Sequence, residues 1–189
     1  MNISTTKKEL QQAFSKLSKT TQIKSQNPLV NYTYISSSPA GVVLHSTDME
    51  VGVKTNINAS VNSAGECLFP TSEMNDIISV LGEGRVDIEV SGPHINIKSE
   101  KGLSFDISTV PFQDYPDIPE NNHDNLFCID TTDLKDIIAS LLYAINSEPT
   151  KPALNGACLN FLDSNVDFVA TDGHRLVKIS KQNTTNIKG

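Results

Sequence analysis

The sequence repeats itself over a long stretch without a gap. Residues 1–56 align with residues 125–180 at a shift of 124 positions, and nine of the 56 aligned pairs are identical. The identical pairs are Leu10/Leu134, Leu17/Leu141, Pro28/Pro152, Asn31/Asn155, Val42/Val166, Thr47/Thr171, Asp48/Asp172, Val53/Val177 and Lys54/Lys178. Because the apolar pattern also matches, the alignment indicates a duplicated domain. The second copy starts near Asn125 and includes only 65 residues, so we expect a longer natural protein or a fragment.

A shorter repeat lies inside the first one. Three segments carry apolar residues at positions i, i+3, i+4 and i+7, which places each set on one face of an α-helix. The three sets are Leu10, Ala13, Phe14 and Leu17; Met74, Ile77, Ile78 and Leu81; and Leu134, Ile137, Ile138 and Leu141. Each pattern therefore predicts an amphipathic helix.

The expected helix ends carry capping residues. Thr6 with Glu9 fits a capping box, and Asp130 with Asp133 fits a carboxylate variant of it. Gly82 is expected to stop the second helix.

One strand precedes each predicted helix and three follow it. The leading strands are expected at 1–4, 66–69 and 126–129. The following strands are expected at 32–36, 42–46 and 51–57; at 86–90, 94–98 and 104–109; and at 158–161, 166–170 and 176–179. We name this βαβββ pattern a module. Two modules make a first domain of residues 1–118, and a third module opens a second domain, so the sequence predicts an α+β fold.

The stretch from Pro111 to Asp124 is rich in Pro, Asn and Asp, and it interrupts the strand pattern where the repeat places a domain boundary. We expect a linker at residues 119–124 and the second domain at residues 125–189. The three cysteines, Cys67, Cys128 and Cys158, have no CxxC spacing. This favours buried thiols in a reducing cytoplasm over a zinc site or a disulfide framework. No apolar run is long enough to span a bilayer, which predicts a soluble protein without a membrane partner.

The charge distribution is uneven. The net charge of −7 argues against tight binding of a phosphate backbone over the whole surface. Residues 7–24 nevertheless hold five lysines and one acidic residue, Glu9. The lysines form either a solvated helix face or a local surface for a polyanion, and the pattern leaves both open. The second and third predicted helices are acidic instead.

The most distinctive short motif spans residues 170–177. Asp172 and Gly173 are typical of a tight hairpin turn, and His174 and Arg175 are expected to begin the next strand. Asp172 and His174 could supply two metal ligands, but no third ligand cluster or complete set of catalytic roles is evident. An exposed hairpin with His, Arg and Leu is better suited to binding a peptide.

This motif resembles a signature of a known family, the bacterial sliding clamp, the beta subunit of DNA polymerase III. Three further stretches resemble the corresponding family segments: 46–50, 105–116 and 150–156. The resemblance implies a clamp fold, built of repeated βαβββ modules with helices on one side and antiparallel sheets on the outside. It also implies three similar domains per subunit, of which the third is absent here.

The resemblance further implies a mechanical function in the bacterial cytoplasm. Two subunits close head to tail around double-stranded DNA, and the ring tethers the replicative polymerase by effective concentration. The clamp loader and repair proteins would bind through short peptide motifs. Such a clamp is an accessory subunit of a DNA-directed DNA polymerase, with no catalytic site, metal or cofactor of its own.

Candidate site residues follow from the resemblance. The peptide pocket is expected to include Leu154, Thr171, Gly173, His174, Arg175 and Leu176. The DNA-facing residues are expected to be Lys7, Lys8, Lys16, Lys19, Lys24 and Lys151. Phe105 and Ile107 match positions that join subunits, although their alternation fits a plain core role equally well.

Two other functions remain open from the sequence. The first is an adaptor that uses the same fold without encircling DNA. The second is a small metal-dependent enzyme that uses Asp172 and His174.

Overall fold

The structure is a computed structural model that describes residues 1–21, 27–118, 127–146 and 151–183. Contacts divide the chain into two units, Met1–Pro119 and Glu120–Gly189. Unit 1 contains β1 (Asn2–Thr6), α1 (Lys7–Thr21), a 3-10 helix (Pro28–Asn31), β2 (Tyr32–Ser38), β3 (Gly41–Thr47), β4 (Gly52–Ile57), β5 (Ser60–Ser63), β6 (Gly65–Pro70), α2 (Thr71–Val80), β7 (Arg85–Ser91), β8 (His94–Ser99) and β9 (Ser104–Ser108). Unit 2 contains α3 (Thr131–Leu142), a 3-10 helix (Pro152–Leu154), β10 (Cys158–Phe161), β11 (Asn165–Thr171) and β12 (Leu176–Gln182).

Unit 1 consists of two modules that exchange their leading strands. Its two antiparallel sheets have the orders β5-β1-β7-β8-β9 and β4-β3-β2-β6. Strand β1 leads the first module but pairs with β7 of the second module, with Ile3 opposite Ile88. Strand β6 leads the second module but pairs with β2 of the first, with Cys67 opposite Ile35. The two modules are therefore interlocked by main-chain hydrogen bonds.

The predicted helix faces form the core of unit 1. All eight apolar residues of the first two helical patterns are buried and belong to one hydrophobic cluster with residues from both sheets. Phe14 and Met74 have no exposed surface. Full burial of one such side chain contributes about 1.5–3 kcal/mol, so this shared cluster holds the two modules together.

The first helix has only half of the predicted capping box. The Glu9 amide donates to Thr6 Oγ1 over 3.2 Å, as expected. The Glu9 carboxylate does not return the bond to the cap, because it accepts from Asn58 N and Nδ2 at 3.0 and 3.2 Å. These bonds fix the chain between β4 and β5 and hold the pKa of Glu9 below its ordinary value.

Unit 2 repeats the first module of unit 1. Strands β10, β11 and β12 form one antiparallel sheet, and α3 packs on it through Ile137 and Leu141. The third helical pattern is only partly correct, because Ile138 is 46% exposed. The Asp130 carboxylate caps α3 by accepting from the amides of Thr132 and Asp133.

Three strand and helix predictions differ from the structure. Residues 127–129 form no strand, since nothing among the described residues offers them a main-chain ladder. Helix α2 ends at Val80 because Leu81 turns to an extended conformation, so Gly82 is not a left-handed cap. Strand β5 was not predicted, because its sequence, Ser-Val-Asn-Ser, lacks a strong apolar alternation.

Candidate functional site

The loop between β11 and β12 is held by two of its own side chains. Thr171 Oγ1 accepts from Gly173 N at 3.1 Å and donates to the Arg175 carbonyl oxygen at 2.7 Å. Asp172 Oδ1 accepts from the amides of His174 and Arg175, both at 2.9 Å. Gly173 takes a φ of +91°, a left-handed conformation that glycine adopts without strain. The loop spans four residues, and β12 begins at Leu176, where the predicted strand at 176–179 starts. His174 and Arg175, which were expected to begin this strand, lie in the loop.

Arg175 is fixed on both sides. Its Nε donates to Asp172 Oδ2 at 2.8 Å, and its guanidinium carbon lies 4.0 Å from the centre of the Tyr143 ring. Such a cation–π contact contributes about 0.5–1 kcal/mol at an exposed site. Hydrogen bonds from the His174 and Arg175 amides, followed by the Arg175 side chain, lower the pKa of Asp172 to about 2. The Asp172–Arg175 pair is therefore charged throughout the neutral range.

The other candidate pocket residues are Leu176 and Leu154. Leu176 follows the loop with 63% of its surface exposed. Leu154 closes the 3-10 helix, and its carbonyl oxygen accepts from Asn146 N at 3.0 Å. The exposed aliphatic side chain of Leu176 thus follows directly after the fixed guanidinium group of Arg175 in the sequence. Sequence reasoning missed Tyr143, since the repeat aligns it with Lys19 and its spacing carries no signal.

The loop is built a second time in unit 1. Thr47 Oγ1 accepts from Met49 N and donates to the Val51 carbonyl oxygen, while Asp48 Oδ1 accepts from the amides of Glu50 and Val51. Met49 takes a φ of +79°, matching Gly173 at the shift of 124. The repeated Thr-Asp pair thus encodes the same loop twice.

The geometry disfavours the use of Asp172 as a metal ligand, because both of its carboxylate oxygens already accept hydrogen bonds. Within the described ranges, no group of three His, Cys, Asp or Glu side chains is placed to hold a metal ion.

The candidate basic residues differ in their surroundings. Lys8, Lys16 and Lys19 are exposed on α1, and Lys151 is exposed just before the second 3-10 helix. Lys7 has only 15% of its side chain exposed, and its Nζ lies 3.6 Å from Glu83 Oε1. That pairing leaves Lys7 a weaker candidate for contact with a polyanion. Lys24 lies outside the described residues.

Phe105 and Ile107 lie on β9, an edge strand of the five-stranded sheet. Both are partly buried and pack against the core of unit 1. Their main-chain groups on the side away from β8 have no strand partner among the described elements. The strand therefore combines a core-facing side with an open edge.

The interlocked βαβββ modules of unit 1 are also found in solved structures of one class of protein. The structure matches the crystal structure of the DNA polymerase sliding clamp from Bacillus subtilis with a TM-score of 0.91 at 22% identity, over 98% of this chain and 51% of that one. It matches the sliding clamp from Bartonella birtlesii, crystallised bound to griselimycin, with a TM-score of 0.85 at 23% identity, over 97% of this chain and 50% of that one. The fold is therefore the sliding-clamp fold.

Residues 1–119 match the family model described as the DNA polymerase III beta subunit, N-terminal domain, and the chain belongs to that family. A curated relative is the beta sliding clamp of Rickettsia felis, which is 29% identical over 157 residues. The alignment covers 82% of this chain and 41% of that relative, so the chain spans less than half of its length. In the described part of the chain, no helix is long and apolar enough to cross a membrane.

Proposed function

We propose that this chain supplies the first domain and half of the second domain of a DNA sliding clamp, acting as an accessory subunit of a DNA-directed DNA polymerase in the bacterial cytoplasm. In its complete form the protein encircles double-stranded DNA and makes the replicative polymerase processive. The observation that carries the proposal is the interlocked pair of modules in unit 1, which the beta-subunit family model matches over residues 1–119. The work is mechanical and requires no catalytic site or cofactor.

The domain assignment accompanies this proposal. Residues 1–118 form the first clamp domain, residues 119–124 the linker and residues 125–189 the first half of the second domain. The division of contacts near Pro119 and the repetition of the first module in unit 2 support it. The third domain lies outside these residues.

DNA contact is proposed for the exposed lysines Lys8, Lys16 and Lys19 of α1, together with Lys151. All four side chains are exposed, and three of them lie on one helix that carries a single acidic residue, Glu9. Contacts of this kind attract phosphates without reading base sequence. The acidic residues of α2 and α3 limit the attraction, which suits a ring that slides.

A short peptide motif of the polymerase, the clamp loader or repair proteins is proposed to bind beside Leu176 and Arg175, with Leu154 and His174 nearby. The exposed Leu176 side chain beside the fixed Arg175 side chain supports this proposal. In unit 1 the position of Leu176 is taken by Gly52, and the Ile118 side chain lies so close to it that an added Cβ atom would meet it at 3.0 Å. Ile118 therefore fills in unit 1 the space that the Leu176 side chain takes in unit 2.

Subunit association in the complete homodimer is proposed to use the open edge of β9. Adding a strand from a partner would satisfy the free main-chain groups of the edge strand. The burial of Phe105 and Ile107 would then increase at the same edge.

A processivity assay tests the function and the pocket together. The complete protein should lengthen the products that the replicative polymerase makes in one binding event, because tethering raises its effective concentration. Leu176→Ala should weaken binding of the polymerase peptide about tenfold, the effect of losing roughly 1.4 kcal/mol, and should shorten the products accordingly.

Leu162→Ala is the matched control. Leu162 is 42% exposed at the opposite end of the β11 strand, so its loss should leave peptide affinity and product length unchanged. Unaltered peptide affinity in Leu176→Ala would contradict the assignment of the peptide pocket. Polymerase products of equal length with and without the complete protein would contradict the tethering function.

A further inference from the structure

Unit 1 contains a cleft with an apolar lining. The cleft lies between the loop that joins β3 to β4 and the segment 116–118, and its volume is about 260 Å³. Met49, Pro116 and Ile118 supply the apolar lining. Pockets for small molecules usually measure about 300–1,000 Å³, so this cleft has the size for one anchoring side chain of a larger partner.

Two apolar side chains of the same loop are exposed. Met49 is 62% exposed and Val51 is 55% exposed. Met49 is also the only residue other than glycine with a left-handed φ in the described part of the chain, so the loop holds this flexible apolar group in solvent at a cost of roughly 1–2 kcal/mol. Methionines are over-represented on surfaces that bind peptides. The loop therefore presents apolar surface that the described residues of unit 1 leave uncovered.

The charges around the cleft are negative. The loop and the segment 116–118 together carry the carboxylates of Asp48, Glu50 and Asp117 and no Lys or Arg. Glu50 and Asp117 line the cleft and are exposed. Within the described ranges neither of these two carboxylates forms an ion pair, and the next cation along β4 is Lys54. The cleft therefore favours a positively charged partner.

The two copies of the loop differ in charge although their backbones match. At the shift of 124, Glu50 corresponds to His174 and Val51 to Arg175. The hydrogen bonds that both loops share use the side chains of the Thr-Asp pair and only main-chain groups of the three residues that follow it. The acidic side chain of Glu50 is therefore not needed for the loop to fold.

We propose that the cleft of unit 1 is a docking site for a basic peptide segment of a partner protein. One aliphatic side chain of the segment packs against Met49 and Ile118, and its cationic side chains lie beside Glu50 and Asp117. Charge complementarity specifies the sign of the partner, and the apolar lining specifies its anchor. The site is separate from the proposed peptide pocket of unit 2, whose loop presents a guanidinium group, and it does not depend on encirclement of DNA.

Fluorescence anisotropy with two synthetic peptides tests this site in the complete protein. The basic probe carries a leucine between two pairs of arginines, and the acidic probe has glutamates in place of the arginines. The basic probe should bind about tenfold more tightly than the acidic probe. Its affinity should fall as the salt concentration rises, because salt screens exposed charges.

A matched pair of double variants tests the role of the two carboxylates. Glu50→Gln combined with Asp117→Asn should weaken binding of the basic probe about tenfold. Glu73→Gln combined with Asp76→Asn removes the same amount of charge from exposed positions of α2 and should leave the affinity unchanged. Equal affinities of the two probes, or equal losses in the two double variants, would overturn the proposal.

Met49→Gly separates binding from folding. The substitution removes the backbone strain together with the apolar side chain, so unit 1 should become more stable while its affinity for the basic probe falls about fivefold. Leu176→Ala should leave binding of the basic probe unchanged, and Met49→Gly should leave binding of the polymerase peptide unchanged. Undiminished binding of the basic probe by Met49→Gly, or its loss in Leu176→Ala, would overturn the proposal without affecting the pocket of unit 2.

Discussion

Residues 49 and 173 take the same left-handed backbone conformation with different side chains. Met49 has a φ of +79° and Gly173 a φ of +91°. A residue with a Cβ atom loses roughly 1–2 kcal/mol there, whereas glycine loses only conformational entropy on folding, about 0.5–1 kcal/mol. The Met49 side chain is 62% exposed and gains little from burial. The first loop is thus strained and the second is not.

We expect Gly173→Met to destabilise unit 2 by about 1 kcal/mol and Met49→Gly to stabilise unit 1 by up to about 1 kcal/mol. No atom lies within 4 Å of a Cβ built on Gly173, so backbone strain alone accounts for the first effect. Urea denaturation gives both free energies of unfolding. Gly156→Ala is the control, because Gly156 has neither a left-handed φ nor a close neighbour. If Gly156→Ala lost as much free energy of unfolding as Gly173→Met, backbone strain at residue 173 would be refuted.

At the residue scale the sequence predicted the turn at Asp172 and Gly173, whereas the role of this loop in binding stays a prediction. The Thr-Asp pair occurs twice at the shift of 124, and the structure shows both pairs organising their loops. The contact between Arg175 and Tyr143 was not predictable, because the two residues are 32 positions apart and the equivalents Val51 and Lys19 carry no such pair.

At the scale of elements, the segment after β9 is held to the sheet by stacked rings. His45 of β3 lies with its ring centre 4.6 Å from that of Tyr34 and 5.3 Å from that of Tyr115. Tyr115 Oη donates to the Tyr32 carbonyl oxygen at 2.7 Å. His45 Nε2 is buried without a hydrogen-bond partner. This burial lowers the pKa of His45, and the positive charge of Lys54 lowers it further, whereas Asp117 raises it by a smaller amount.

This arrangement predicts that unit 1 loses stability as the pH falls below about 6.5, the ordinary pKa of histidine. The unfolded chain binds the proton at a higher pH than the folded chain does, because the folded pKa is lowered. The stabilising contribution is complete above pH 6.5 and decreases as the pH falls through the folded pKa. Thermal unfolding between pH 7.5 and 5.5 measures it, with His45→Phe expected to show a flatter dependence. Identical pH dependences in both proteins would contradict the assignment.

Helix α3 depends on its N-cap. The Asp130 carboxylate accepts from Thr132 N at 2.8 Å and from Asp133 N at 3.4 Å. Asp130→Ala should therefore destabilise unit 2 by about 1 kcal/mol in thermal or urea unfolding. Asp136→Ala, a change of an exposed residue on the same helix, should stay within about 0.5 kcal/mol. Equal losses of stability in Asp130→Ala and Asp136→Ala would show that negative charge, and not the N-cap hydrogen bonds, stabilises α3.

The helices and the following strands were predictable because their apolar spacing is local. The pairing of the leading strands was not predictable, since β1 pairs with β7 between Asn2 and Glu89 at one end and Thr6 and Arg85 at the other, far apart in the sequence. Residues 127–129 illustrate the difference: their sequence is strand-like, but a strand needs a partner, and the described part of the chain contains none for them.

At the scale of the whole molecule, the proposed function is compatible with a net charge of −7. Two interlocked modules share one hydrophobic core, and the proposed function follows from closing such domains into a ring. In that proposal, the lysine side chains of α1 need only to attract DNA locally. Function of this kind depends on topology and not on affinity.

Retention of the loaded, complete protein on circular and linear DNA tests this claim most directly. A ring that encircles DNA should stay on a nicked circular plasmid during gel filtration. It should leave at once when the plasmid is cut, because it slides off the free ends. Equal retention on the circular and the linear plasmid would contradict encirclement.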